Sequence, residues 1–241
     1  LPQNVVSFIS KYTEGSTVYK GKQISAYANG PLFNLPAGEV QAVFGAEWRE
    51  ESIDDVPDIE AQRNNFWGFS TAGITRGTDT VQEVFTEVEV PLLRDLPLVK
   101  DLSINLSGRW TDYDSYGDDT TYRGTLRWVL TPSIALRSSI GTSFRAPDLY
   151  EQFLGDQTGF ISNLNDPCSQ FGSIYDPGDA IYDNCLSLGL DPETYRATSS
   201  ILQITGGASD LKAETSDAFT VGLIFKPEAL NVSIAVDYFR I

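Results

Sequence analysis

Residues 101–147 read DLSINLSGRW TDYDSYGDDT TYRGTLRWVL TPSIALRSSI GTSFRAP, and this stretch decides the fold. Leu102, Ile104, Leu106, Gly108 and Trp110 occupy every second position, while Ser103, Asn105, Ser107, Arg109 and Thr111 between them are polar. After Asp112–Asp119 the alternation resumes as Tyr122, Gly124, Leu126, Trp128 and Leu130 against Thr121, Arg123, Thr125 and Arg127. After Thr131-Pro132 it resumes again as Ile134, Leu136, Ser138 and Ile140 against Ala135, Arg137, Ser139, Gly141, Ser143 and Arg145. Successive side chains of a strand point to opposite sides, so period two gives one apolar and one wet face. Asp101–Pro147 is therefore expected to form three consecutive antiparallel strands.

Alternation is shared by soluble sandwiches. Three details favour a sheet whose apolar face meets lipid. The strands run to about ten residues, long for a sandwich but right for a tilted bilayer span. Arginine stands at mid-strand on the wet face, as a water-filled or plugged lumen allows. Trp110, Tyr122, Trp128 and Phe144 lie towards strand ends, where interfacial girdles sit.

Composition narrows the function classes. The 241 residues carry a net charge of −16, with acids gathered in Ile53–Glu60, Asp112–Asp119 and Asp156–Asp191, which argues against nucleic acid, because a phosphate-binding surface needs excess Lys and Arg. There is no His and there are two Cys, so a His-based catalytic triad, a His-ligated metal and a Cys₄ site are all excluded within this chain. No apolar run approaches the length of a membrane helix, which leaves a barrel untouched because its signal is spread over alternate positions. The chain lacks Met and ends on Tyr238-Phe239-Arg240-Ile241, an unterminated strand pattern, so it reads as a fragment.

Further strands are expected at Lys22–Asn34, Val40–Arg49, Thr80–Leu92, Glu214–Lys226 and Leu230–Tyr238, with Val5–Ile9 as part of a preceding strand. Short turns are expected at Leu35–Gly38, Leu93–Lys100, Thr131–Ser133 and Pro227–Ala229. Longer loops are expected at Glu50–Asp79, Asp112–Asp119 and Ala146–Ala213. Short and long connections alternate strictly, which in an up-and-down sheet puts them on opposite rims. Glu50, Asp217 and Arg240 occupy apolar-face slots, and all three fall at the long-loop end. A charge there costs about 0–1 kcal/mol, against roughly 2–4 kcal/mol at the bilayer midplane.

Particular residues now resemble a known family. Leu32-Phe33, Leu35-Pro36-Ala37-Gly38, Phe44–Glu51, Val84–Leu93 and Arg109–Tyr113 look like the barrel of TonB-dependent outer-membrane receptors. Ser143-Phe144-Arg145-Ala146-Pro147 with Leu149 and Glu151 resembles it most, followed by Gly206-Gly207, Leu211, Glu214-Thr215-Ser216-Asp217 and Asp237–Ile241. Ala208 and Ala213 stand where Asn and Pro are more usual. The resemblance spans Gly30 to Ile241. It implies an all-β, antiparallel, up-and-down transmembrane barrel wall of about eight strands, part of a larger plugged barrel in the outer membrane of a Gram-negative cell. Residues 1–241 would be a partial barrel with a long extracellular loop at 146–213 and no plug domain. Implied partners are outer-membrane lipid, the plug of the same full-length protein, the TonB complex through the missing N-terminal region, and an unidentified small molecule. An iron chelate such as a siderophore, a cobalamin or an oligosaccharide would be bound and taken up; no enzyme activity, cofactor, metal or nucleic acid is expected.

Cys168 and Cys185 share the longest loop, and at an oxidising cell surface a disulfide is expected between them. Loop aromatics Tyr150, Phe153, Phe160, Phe171, Tyr175 and Tyr182 are candidates for stacking on substrate rings. Arg109, Arg123, Arg127, Arg137 and Arg145 share the wet face with Glu83, Glu87 and Glu89. Two readings stay open for these: an electrostatic lining facing the plug or an anionic substrate, or cross-strand ion pairs within the wall. The mixture of acids and bases favours the second. Asp112-x-Asp114-x-x-Gly117 hints at a calcium loop but has Tyr116 and Arg123 where oxygen ligands are needed, and so fails the pattern. The alternatives from other classes are a complete small eight-stranded barrel with a structural or adhesive role and a soluble β-sandwich binding module.

Overall fold

The computed structural model describes residues 1–66, 70–197 and 199–241, so residues 67–69 and 198 of the two longest expected loops lie outside the described residues. Among the described residues the strands are β1 (Ser16–Leu35), β2 (Gly38–Val56), β3 (Thr75–Leu96), β4 (Val99–Tyr113), β5 (Gly117–Thr131), β6 (Ile134–Arg145), β7 (Gln157–Ser162), β8 (Ser200–Thr205), β9 (Glu214–Phe225) and β10 (Ile234–Arg240). Short helices are α1 (Gln3–Ile9), α2 (Ile59–Gln62), α3 (Leu149–Phe153), α4 (Phe171–Ile174) and α5 (Ala180–Ser187). Eight strands form one sheet in the order β1-β2-β3-β4-β5-β6-β9-β10, and β7 pairs separately with β8. The sheet is open, with β1 and β10 at its edges, so it is not the closed eight-stranded barrel of the alternative reading.

Two compact units divide the chain. One comprises Tyr19–Ser52, Gly77–Gln152 and Ser209–Ile241; the other comprises Leu1–Val18, Ile53–Arg76 and Phe153–Ala208.

In the first unit the ladder pairs like with like. Across β4 and β5, Leu102, Ile104 and Leu106 face Trp128, Leu126 and Gly124, while Ser103, Asn105 and Ser107 face Arg127, Thr125 and Arg123. Burial is inverted relative to a water-soluble sheet. Thr111 (0%), Asp79 (5%), Glu83 (7%) and Ser103 (8%) are covered, together with Val40 and Ala42 of β2 and Val81 of β3, whereas Leu106 (52%), Ile140 (58%) and Leu223 (50%) stand open. Leu102, Leu126 and Ile134 are not buried either. Among the described residues no second layer covers the apolar face, which removes the sandwich. Each such side chain left in water forgoes about 1.5–3 kcal/mol, and an apolar solvent supplies it.

The indoles bracket that face. Trp128 pairs with Leu102, and Trp110 lies further along the same strand, so at about 3.3 Å per residue the two levels are roughly 26 Å apart along β4. Tilted by about 40°, this is roughly 20 Å of height, close to the ~25 Å apolar band of membrane barrels. Both rings are pinned: Trp110 Nε1 donates to Asp118 Oδ2 (3.2 Å) and Trp128 Nε1 to the Leu98 carbonyl (3.0 Å). Phe144 instead meets Tyr113 edge-on at 6.3 Å.

Several boundaries differ from the sequence expectation. Val5–Ile9 lies in helix α1, where the Pro2 carbonyl accepts from the Val5 and Val6 amides (3.0 and 3.1 Å). β2 runs on to Val56 and β3 starts at Thr75, so the Glu50–Asp79 loop shrinks from both ends. Strands β3 and β4 likewise consume most of Leu93–Lys100, leaving a turn at Pro97-Leu98. The expected long loop Asp112–Asp119 is a tight turn at residues 114–116. Polar composition does not end a strand whose ladder continues, and here Thr111 pairs with Asp119 and Asp112 with Asp118. Gly117 at φ +98° closes the turn, and Asp79 accepts from Ser115 N (3.2 Å) and Oγ (2.7 Å). The connection after β9 is longer than expected, because β10 begins only at Ile234. Strict alternation of short and long connections therefore fails at these two places, while Leu35–Gly38 and Thr131–Ser133 are turns as expected.

Candidate functional site

On the polar face of the sheet, register turns the sequence-flagged charges into rows. Glu83 opposes Thr111, and Phe85 opposes Arg109. Thr111 Oγ1 donates to Glu83 Oε1 at 2.9 Å, Arg109 Nη1 lies 3.4 Å from Oε2, and the Arg109 guanidinium sits 5.2 Å over the Phe85 ring. Phe85 fits because its neighbour is Gly45, where a Cβ would overlap the ring. Glu87 accepts from Asn105 Nδ2 (2.7 Å), and Glu89 stands opposite Asn105. Arg127 Nη1 meets Asp101 Oδ1 at 2.6 Å, and Arg94 reaches the other oxygen of Asp101 at 3.3 Å. Arg137 binds Asp237 with two parallel bonds, Nε–Oδ1 at 2.9 Å and Nη2–Oδ2 at 2.7 Å. That pair spans the intervening β9 at Gly222, where a Cβ would overlap the Asp237 carboxylate. Among the described residues Arg123 has no ion-pair partner. Cross-strand pairing thus accounts for most, but not all, of these charges.

Arg145 ends β6 and clasps two acids. Its Nε and Nη2 bond Glu214, the first residue of β9, at 3.1 and 2.8 Å; Nη1 and Nη2 bond Glu151 of α3 at 2.9 and 3.0 Å. Glu151 also accepts from the Asp148 amide (2.9 Å), and Asp148 Oδ1 caps the start of α3 by accepting from Tyr150 N and Glu151 N. The neighbouring guanidinium, followed by the Asp148 amide, holds the Glu151 carboxyl below the usual carboxylate range. The neck of the long insertion is therefore a charge-assisted clamp.

The second unit contains most of that insertion, and the segment 146–213 is not bare loop but carries α3, β7, a 3₁₀ turn, α4, α5 and β8. Cys168 and Cys185 are joined by a disulfide with Cα atoms 5.6 Å apart. The bridge and fully buried Phe171 make a small core, against which Tyr175, Ile181, Tyr182, Leu190 and Tyr195 pack. The Tyr182 ring meets Phe171 edge-on at 5.3 Å. Tyr195 donates to Asp166 Oδ2 (3.0 Å), which pushes the phenol's pKa up. Acids here build turns: Asp179 accepts from the Asp176 amide, Asp183 from Gly178, and Asp191 from Glu193. Two loop segments cross at Gly73 and Gly155, with Gly73 N donating to the Asp156 carbonyl (3.0 Å) and Gly155 N to Thr75 Oγ1 (3.1 Å).

This placement splits the aromatic candidates. Phe171 is wholly buried and offers no ring face to a ligand, a correction to its expected role; Tyr175 and Tyr182 are packed against it and belong to the same core. A sequence shows aromatic residues near two cysteines, but not which of them close over the bridge. Phe160 (63% exposed) stands on β7 opposite Leu202, Phe153 is half-buried, and Tyr150 lies in the first unit, exposed on α3. Asp101, Asp237, Glu214, Glu151 and Thr111 are the partners of the polar-face charges, a role the sequence did not assign them, although Glu151, Glu214 and Asp237 lie in the motifs that carry the family resemblance. For Asp237 and Gly222 a signal existed, since a mid-strand glycine marks a close approach.

An open meander with a bare apolar face, a charged polar face and a folded insertion on one connection defines a stretch of membrane β-barrel wall. The chain belongs to the TonB-dependent receptors: residues 3–241 match the family described as TonB dependent receptor-like, beta-barrel. It is 30% identical over 201 residues to the vitamin B12 transporter BtuB of Vibrio cholerae, covering 80% of this chain and 29% of that protein. Among solved structures, the ferric enterobactin receptor PfeA of Pseudomonas aeruginosa, determined as a mutant with enterobactin, superposes with TM-score 0.60 at 19% identity, covering 92% of this chain and 27% of that one. The siderophore receptor PirA of the same species gives TM-score 0.60 at 16% identity over 93% of this chain and 32% of that one. The chain thus spans under a third of the length of these relatives.

Proposed function

We propose that this chain is part of the barrel of an outer-membrane receptor that binds a scarce nutrient at the cell surface and takes it up through a plugged lumen. The apolar face meets lipid, and the polar rows bearing Arg109, Arg123, Arg127, Arg137, Arg145, Glu83, Glu87 and Glu89 face the lumen and its plug. The long connections lie outside the cell, and TonB supplies the energy through a region of the full-length protein beyond this segment. Substrate is held by the long connections; in the insertion Phe160 presents an exposed ring and Phe153 stands partly covered, and Tyr150 is exposed on α3 of the wall unit. No bond is made or broken in the substrate.

The observation that carries this reading is the inverted burial of the sheet, covered hydroxyls and carboxylates on one face and bare leucines on the other. A lipid-facing wall around a polar interior produces that pattern. The names of its relatives supply the first ligands to test, vitamin B12 and ferric enterobactin. The full-length receptor in bilayers is expected to bind one member of a panel of cobalamins, ferric chelates and oligosaccharides. Cells carrying it should accumulate that ligand only while the proton-motive force is intact. Binding with uptake that persists after the force is collapsed would contradict the energised step.

A further inference from the structure

Arg127 and Arg137 stand directly opposite each other on adjacent strands β5 and β6. Directly opposed like charges destabilise a sheet unless something lies between them. Their acids do not: Asp101 is on β4, Asp237 is on β10, and the strand order puts these on opposite flanks. Asp101 is shared with Arg94, so the row carries three guanidinium groups on two carboxylates. An arginine has five N–H donors. Among the described residues Arg127 commits one of them, to Asp101, and Arg137 two, to Asp237. The side chains are 62% and 54% exposed. On the same face Thr125, Ser139 and Thr220 add hydroxyls and Arg123 a further cation, with no acid between Thr121 and Val129 on β5 or between Ala135 and Ser143 on β6.

We propose that Arg127 and Arg137 form a two-armed carboxylate site that grips an Asp or Glu of the segment filling the lumen in the full-length receptor. This rests on the lumen reading given above. Paired guanidinium groups match a carboxylate's two oxygens, each as a charge-assisted bond, and an anion between them relieves their mutual repulsion. The occupant is argued from position and chain length. The pair lies within a few residues of the Thr131–Ile134 turn, so a ligand gathered at the opposite rim reaches it last, whereas a packed segment touches it throughout. This chain covers under a third of its relatives' length, which leaves ample chain to provide that segment.

The test uses the full-length receptor carrying Arg127→Lys or Arg137→Lys, each of which keeps the charge and adds a reactive amine. After carbodiimide treatment, peptides are mapped by mass spectrometry. Links from the introduced amines to Asp101 and Asp237 are the internal control for folding and reactivity. The expected result is an additional isopeptide link, from either variant, to one acid outside residues 1–241, lost when that acid is changed to its amide. Links confined to Asp101 and Asp237 in both variants would overturn the proposal. So would a thermal shift with inorganic phosphate that is abolished in Arg127→Gln and Arg137→Gln while no such link forms, because that assigns the pair to a free anion. Cross-links between native lysines of the wall and the rest of the chain report separately on whether any segment fills the lumen. Their absence would count against the lumen reading itself.

Discussion

The wall and the insertion are built for different solvents. In the wall, Leu106, Ile140 and Leu223 face outward uncovered while Thr111 and Glu83 are buried, so its cohesion comes from the ladder, from polar rows and from whatever apolar medium surrounds it. In the insertion the order is conventional: Phe171 and the Cys168–Cys185 bridge are inside, and turn-forming aspartates are outside. A hydrophobic residue therefore means a lipid contact in one unit and a core contact in the other. Period-two alternation marks the first kind, and clustering around the cysteines marks the second.

Substitutions can break this contrast. Phe171→Ala should cost the insertion about 3–5 kcal/mol, the usual range for emptying a core phenylalanine, and leave the wall folded. Hydrogen exchange on the full-length receptor checks this, with protection lost in residues 166–195 and retained in β4–β6. Cys185→Ser should cost roughly 3 kcal/mol in the chain-entropy model for a loop of this order, seen as faster proteolytic nicking of the insertion alone. Leu106→Arg, on the bare face midway between the two indole levels, should cost about 2–4 kcal/mol in a bilayer. Leu202→Arg, equally exposed but on the insertion's hairpin, should stay within about 0.5 kcal/mol. Urea titration of the receptor in vesicles compares the two; equal costs would erase the distinction between units.

The smallest effect concerns pH at the neck. Arg145 keeps the Glu151 carboxyl below its ordinary range, so the folded value lies under the unfolded one. The clamp's contribution is then present above the unfolded value and is lost as pH falls through the folded value. Amide protection at residues 148–152 should weaken on acidification, and Glu151→Gln should remove that pH dependence. A pH-independent protection in the unaltered receptor would show that the clamp adds nothing.

Much of the wall was legible because alternation is local. Leu102–Trp110 and Tyr122–Leu130 declare their faces without knowledge of their partners, and Pro36 and Gly38 declare their turn. Strand ends were not legible, because they depend on pairing: Asp112 and Asp118 look like loop residues until the ladder runs through them. The same holds for Arg137, whose partner Asp237 lies a hundred residues on and is reached only across Gly222. Nor could composition tell Phe160 from Phe171, since one stands on an open hairpin and the other beneath a disulfide.

The most direct measurement is nitroxide accessibility in the full-length receptor reconstituted in lipid, with single cysteines replacing Leu106, Ile140, Ser107 and Ser139 in turn. Cys168 and Cys185, the two native cysteines of residues 1–241, are bridged and take no label. Labels at 106 and 140 should collide with dissolved oxygen and be shielded from a water-soluble nickel chelate, while labels at 107 and 139 should not show that lipid signature. Oxygen-rich, nickel-poor signals at 107 and 139, with the reverse at 106 and 140, would contradict a lipid-facing apolar wall.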